Sequence, residues 1–203
     1  MKLFDGGRAP NPRRVRVFLA EKGIDVPLEP VDMGAFGHKS PEIAAKNPLM
    51  RLPILELDDG TVISETIAIC RYLEELHPEP ALFGTTPLER AMVEMWQRRV
   101  ELHFLMAAAQ AFRHTHPAMK EWEVPQVAEW GEANRPKAIE FMQLLDKELG
   151  EREFIAGDRF SVADITAVIG ADFTKPARIE IPAELGNFER WYGAMRARPS
   201  YAA

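Results

Sequence analysis

Residues 47–76 read NPLMRLPILELDDGTVISETIAICRYLEEL, and the fold is decided there. Asn47-Pro48 opens a loop, Leu52-Pro53 leads into an apolar run, and Asp58-Asp59-Gly60 turns the chain back. An Asp-Gly pair between two short apolar runs signals a hairpin, so strands are expected at 53–57 and 61–63. Proline cannot donate to a ladder, which puts Pro53 at a strand start or edge. A helix is expected over 65–77, with Ile67, Ile69, Cys70 and Leu73 turned inward. The first N–H groups of that helix have no partner within it and suit an anion.

Upstream, residues 2–5 form a strand candidate followed by the loop 6–12. Asn11-Pro12 has the form of an N-cap followed by a first-turn proline. Val15, Phe18 and Leu19 then recur at helical spacing, and Lys22-Gly23 is a helix stop. Residues 26–31 read as an edge strand, 32–40 as a loop with two glycines, and Pro41–Lys46 as a short helix. The order βαβ, α, ββα defines a first domain over 1–80, a mixed sheet with helices on both faces. Residues 81–86 form a linker.

Everything from Pro87 onward reads as helix. Thr86-Pro87 caps a long amphipathic helix to about residue 113, its apolar stripe drawn from Met92, Val93, Trp96, Val100, 102–105 and Met106. Pro117 and Pro125 break the chain, and further helices are expected at about 126–149, 162–174 and 185–197. In the run Phe160-Ser161-Val162-Ala163-Asp164-Ile165, Ser161 and Asp164 make a capping box, with Phe160 and Ile165 at the staple positions. We assign Ser161 and Asp164 to folding. The second domain, 87–203, is all-α.

A hydrophobic content of 46% with 28% charged residues is that of an ordinary globular protein. The net charge of −6 argues against nucleic acid as a partner, since phosphate contacts need a positive surface. Lys2, Arg8, Arg13, Arg14 and Arg16 nonetheless face only Asp5 in the first sixteen residues. The single cysteine, Cys70, excludes an internal disulfide framework and suits a reducing compartment. It sits among apolar residues, as a buried inert thiol does. No apolar run is long enough to cross a membrane, and the expected location is cytoplasmic.

Five anchors in order, residues 9–15, 37–42, 47–53, 65–66 and 160–165, resemble the cytosolic glutathione transferases, most nearly bacterial members close to the theta, beta and nu classes. The resemblance spans essentially the whole chain. It implies a thioredoxin-like α/β N-terminal domain that binds glutathione and an all-α helical-bundle C-terminal domain. It also implies a cis bond before Pro53, with the Leu52 backbone pairing to the cysteinyl unit of glutathione. Glu65 would take the γ-glutamyl ammonium, and the Thr66 hydroxyl with the helix N–H groups its carboxylate. His38 and Arg51, with Lys39, match positions that hold the glycine carboxylate, although each also reads as a solvated loop cation.

At the thiol-activating position the chain departs from the pattern, because Ala9 stands where Ser or Cys is usual. Asn11, matching an asparagine of nu-like members, is the catalytic candidate, assisted by the helix N-terminus, and reads otherwise as a cap only. The arginines 13, 14 and 16, with Arg8, either raise the local anion potential or face solvent or a partner subunit. The electrophile site would lie between the domains, with Ala9, Pro10, His103 and Met106 as candidates. Phe104, Phe112 and the run His114-Thr115-His116 stand beside them, and His103 and Phe104 also suit packing. The His-x-His pair lacks the i, i+4 spacing of helical metal ligands, so no metal is expected.

The resemblance therefore implies a detoxifying transferase in which glutathione thiolate attacks a small hydrophobic electrophile. A glutathione-dependent disulfide or peroxide reductase and a non-catalytic glutathione-binding protein stay open beside it. Glutathione is the only expected co-substrate, and a homodimer the expected assembly.

Overall fold

A computed structural model describes all residues, 1–203, and the chain divides into two compact units. One comprises 1–81 together with 199–203, and the other 82–198. The last five residues, assigned from sequence to the helical domain, thus fall with the first unit.

In the first unit β1 (Lys2–Asp5), α1 (Pro10–Lys22), β2 (Leu28–Pro30), α2 (Pro41–Lys46), β3 (Ile54–Glu56), β4 (Val62–Ser64) and α3 (Thr66–Leu76) follow in order. The sheet runs β2-β1-β3-β4, with β1 parallel to β2 and antiparallel to β3, and β3 antiparallel to β4. This is the expected mixed thioredoxin-like sheet. The hairpin forms at the Asp-Gly step, where Gly60 has φ +84° and Asp59 Oδ1 accepts from the Thr61 N–H at 2.9 Å. Leu3, Ile54, Leu55, Val15, Phe18, Ile69 and Leu73 are fully buried and supply the core between sheet and helices. Cys70 is buried beside them. Lys22, also buried, ties the end of α1 to the exit of α3. Its Nζ donates to the carbonyls of His77 and Pro80 at 2.6 Å each and pairs with Glu74.

One reading of this unit is corrected. The first helix starts at Pro10, one residue before Asn11, and its cap is Ala9, extended at φ −63°, ψ 140°. Crowding by a proline ring pushes the preceding residue out of the helical region, and Pro10 imposes this on Ala9. Asn11 is therefore the second helical residue and caps nothing. Three arginines of the basic cluster make contacts within their own unit. Arg16 pairs with Asp5, Arg13 donates to the Tyr201 carbonyl at 2.8 Å, and buried Arg14 donates to Asn11 Oδ1 at 3.3 Å.

In the second unit α4 (Pro87–Arg99) continues through a π-helical segment, Val100–Leu105, into α5 (Met106–Thr115). Helices α6 (Ala128–Leu149), α7 (Val162–Thr174) and α8 (Gly186–Arg196) follow. Thr86 caps α4 in a capping box with Glu89, as the Thr-Pro step suggests. The helix read as one uniform stretch to about 113 is thus interrupted. The wider turn re-aims its side chains: Val100, Phe104 and Leu105 are buried, whereas Leu102 and Met106 are exposed at 46% and 44% and leave the expected stripe.

Helix α7 is the centre of this unit, buried from Val162 to Ala171. At its start the Ser161–Asp164 box forms. Asp164 Oδ2 accepts from the Ser161 N–H at 3.0 Å and hydroxyl at 3.1 Å, and Oδ1 accepts from Ile155 N–H at 2.9 Å and Trp191 Nε1 at 3.0 Å. Burial pushes the Asp164 carboxyl up to about 6, against the four hydrogen bonds that pull it down. No helix is long and apolar enough to cross a membrane.

Candidate functional site

The register alone gathers the predicted residues of the first unit. Phe4 pairs with Ile54, and Ile54 with Ser64, so the C-terminal ends of β1 and β4 meet the start of β3. Parallel pairing brings the end of β2 to the same side. Four connections therefore share one end of the sheet: the loop into α1, the loop after β2, the run into Pro53, and the step from β4 into α3. Leu52 packs with Phe4, Ile43 and Ile54, and Val31, Met33 and Val62 lie against that cluster. A Cβ at Gly6 would come within 3.3 Å of both Leu52 and Met33, so the first loop rests directly on this cluster.

The Leu52–Pro53 bond is cis, as expected. The preceding loop is held by Asn47, whose Nδ2 donates to the Arg51 carbonyl at 2.9 Å and whose Oδ1 accepts from Leu49 N–H at 3.1 Å. The β3 ladder begins at Ile54, leaving the Leu52 backbone outside it.

Glu65 stands at the N-cap of α3 with φ 72° and ψ 121°, and its exposed side chain makes no capping bond. A non-glycine residue there costs of order 1–3 kcal/mol, and such residues gather at functional sites. Its carbonyl accepts from Ile69 N–H at 3.0 Å, so the N–H groups of 66–68 have no acceptor within the helix. Thr66 is buried at the head of this end, and no acidic residue occupies the first turn. Helices α4 and α7, by contrast, carry complete capping boxes.

His38 lies in a short 3-10 turn, Gly37–Lys39, and is buried. Burial holds its pKa below the ordinary value, and the charges of Lys39 and Arg51 push the same way. The imidazole is therefore neutral at pH 7, and Arg51 lies near enough to be felt by it. Lys39 is exposed, its ammonium 4.8 Å from the centre of the Phe36 ring.

Asn11 is exposed at the start of α1, its Oδ1 engaged by Arg14 and its Nδ2 left to donate. The helix end beneath it is sparse in donors. Pro10 and Pro12 have no N–H, Ala9 N–H donates to Gly6 and Arg13 N–H to Ala9, at 3.3 Å each. The Asn11 N–H alone remains without an acceptor in that turn. Asp5 was not singled out as a site residue, yet it orders this loop by accepting from Gly7 N–H at 2.9 Å and from Arg16. Its signal in the sequence is that it is the one acid among five bases.

In the helical unit His103 is exposed on the π-helical segment and stacks on Phe141, with centroids 6.1 Å apart and planes at 18°. Met106 is exposed at the start of α5. Phe104, read as an electrophile contact or a packing residue, is fully buried core. Phe112 packs on Phe173 and His116, and His114 and His116 each accept a backbone N–H, from Val127 and Ala118.

A family model described as the glutathione S-transferase N-terminal domain matches residues 9–76, and the corresponding C-terminal domain model matches 100–199. The chain is 40% identical to glutathione S-transferase 2 of Saccharomyces cerevisiae, over 98% of this chain and 87% of that protein. The crystal structure of Gtt2 from the same yeast superposes with a TM-score of 0.95, covering 100% of this chain and 99% of that one. A class Gtt2 glutathione S-transferase of Vibrio parahaemolyticus is also 40% identical, with a TM-score of 0.88 over 100% and 96% of the two chains. This chain belongs to the glutathione S-transferase family.

Proposed function

We propose that the protein is a glutathione transferase whose first unit binds the tripeptide and whose Asn11 favours the thiolate. The observation that carries this is the open N-terminus of α3, where strained Glu65 and buried Thr66 head three N–H groups with no helical acceptor. The γ-glutamyl carboxylate sits on those N–H groups and the Thr66 hydroxyl, and its ammonium on Glu65. The cysteinyl backbone pairs with Leu52 beside Pro53. The glycine carboxylate is taken by Arg51 and by one N–H of neutral His38, with Lys39 adding charge. The thiol is then directed to Asn11.

A free thiol titrates near 8.5, so only a few per cent is thiolate at neutral pH. Each tenfold gain in thiolate needs about 1.4 kcal/mol of preference for the anion. Asn11 supplies Nδ2–H and its backbone N–H. The thiol proton leaves to solvent, sulfur attacks the electrophilic carbon to form an S–C bond, and the leaving group departs with its electron pair. Ala9 has no group that can touch the sulfur, and with Pro10 it stays an electrophile candidate of the first unit. His103 and Met106 are the electrophile candidates of the helical unit. We place the enzyme in the cytoplasm as a homodimer acting in detoxification.

Calorimetry with glutathione, followed by turnover of an aryl halide and of a model disulfide, tests this reading. Glutathione binding and an aryl conjugate are expected. Oxidised glutathione as the product would replace the transferase with a reductase, and binding without turnover would leave only a carrier. Asn11→Ala should raise the titration of the bound thiol by about one unit and lower kcat/KM roughly tenfold at neutral pH. An unchanged pH profile in that variant removes Asn11 from the mechanism.

A further inference from the structure

Asn47 is 2% exposed, and every polar group it carries is bonded within the loop that starts there. Its N–H donates to the Ile43 carbonyl at 2.8 Å, closing α2, and its carbonyl accepts from Met50 N–H at 2.8 Å. Oδ1 accepts from Leu49 N–H at 3.1 Å, and Nδ2 donates to the Arg51 carbonyl at 2.9 Å. The loop needs such holding, because Met50 takes φ +50°, a region that side chains disfavour. Residues 48–51 are all exposed, so the brace does not serve the packing of a core around them.

The direction of one peptide plane follows. The bond between Arg51 and Leu52 is trans, unlike the next one, so its C=O and N–H point in opposite directions. Nδ2 of a buried side chain draws the carbonyl inward, and the Leu52 N–H is thereby turned outward. That N–H has no acceptor in the chain. On its other side the plane is anchored by the Leu52 side chain, packed with Phe4, Ile43 and Ile54.

We propose that Asn47 is a positioning residue for the cysteinyl unit of glutathione: by pinning the Arg51 carbonyl it aims the Leu52 N–H at the tripeptide backbone. This rests on the glutathione reading above. Asn47 touches no part of the ligand and acts only through the plane it orients. The acceptor it prepares for is the carbonyl of the Cys–Gly amide.

The test is a calorimetric cycle with two ligands. One is glutathione; the other is an analogue in which a trans-alkene replaces the Cys–Gly amide, keeping its shape without its carbonyl oxygen or N–H. The native chain should bind the analogue about fivefold more weakly, the loss expected for one hydrogen bond. Asn47→Ala and Asn47→Asp should each weaken glutathione by about the same factor, yet leave the analogue where the native chain holds it. Equal losses for both ligands would reduce Asn47 to a structural brace and overturn the proposal. Unchanged glutathione affinity in the variants overturns it as well. If Asn47→Ala does not fold, Asn47→Asp, which keeps the volume and the Leu49 acceptor, decides. A native chain that binds both ligands equally overturns this proposal alone. Failure of the native chain to bind glutathione at all overturns the parent reading with it.

Discussion

Pro10 fixes where α1 begins, and Asn11 moves with it from the cap into the first turn. The run Ala9-Pro10-Asn11-Pro12 holds two possible helix starts, each with an extended residue before a proline. The second is chemically better, because asparagine caps and alanine does not. The chain takes the first, with Asn11 Oδ1 bonded to Arg14 in place of a backbone N–H. Asp164 is the opposite case, since its role was legible from spacing alone. What spacing could not show is that it also collects Ile155 and Trp191. Asp164→Ala would strand buried donors and should cost about 4 kcal/mol in chemical denaturation. Its titration has a sign. The folded value of about 6 lies above the 3.8 of the free group, so the folded state holds the proton longer. Asp164 therefore favours folding most below about pH 4, and that share declines as pH rises to about 6. Comparing stability at about pH 4.5 and about pH 7, Asp164→Asn should flatten that decline. An equal slope in both proteins would show that other groups produce it.

Among the elements, their order along the chain and most helices were readable from periodicity and turn chemistry, with strand ends moved by one or two residues. The π-helical segment was not. A helical period assumes a uniform turn, and in residues 100–106 only Glu101 and His103 interrupt the apolar side chains, so no period marks the change of turn. The room for the wider turn comes from far along the chain. Phe104 lies over Gly170 of α7, where a Cβ would stand 2.9 Å from ring carbons Cδ1 and Cε1. The same ring meets Phe141 and Phe188 at centroid distances of 6.2 and 6.3 Å. It cannot simply swing aside. Gly170→Ala should destabilise by about 1–3 kcal/mol in urea unfolding, through overpacking at this contact. A neutral effect would mean that the aromatic cluster can shift as a body.

For the whole molecule, the meeting of Leu52, Glu65 and Thr66 at one end of the sheet was legible, because strand register brings them there without any long-range guess. The return of residues 199–203 to the first unit was not legible. Pro-Ser-Tyr-Ala-Ala carries no periodicity, and its partners Arg13 and Glu21 lie at the other end of the chain. Ligand linkage offers a test at this scale. Glutathione at about 100 times its dissociation constant should stabilise the protein by about 2.7 kcal/mol, seen as a rise in Tm. Thr66→Val keeps the shape of a buried side chain and removes its hydroxyl, so it should blunt that rise. A full rise in the variant would take Thr66 out of the binding site.

The two prolines that strip N–H groups from the head of α1 also make it a poor trap for carboxylate, which prefers several converging donors. In the proposed arrangement the N-terminus of α3 offers three such groups and that of α1 only one. Glutathione carries two carboxylates and one thiol, and a tripeptide placed backwards would set a carboxylate against α1. In that arrangement the unequal helix ends would act as a polarity filter, reading the direction of the peptide before any chemistry begins.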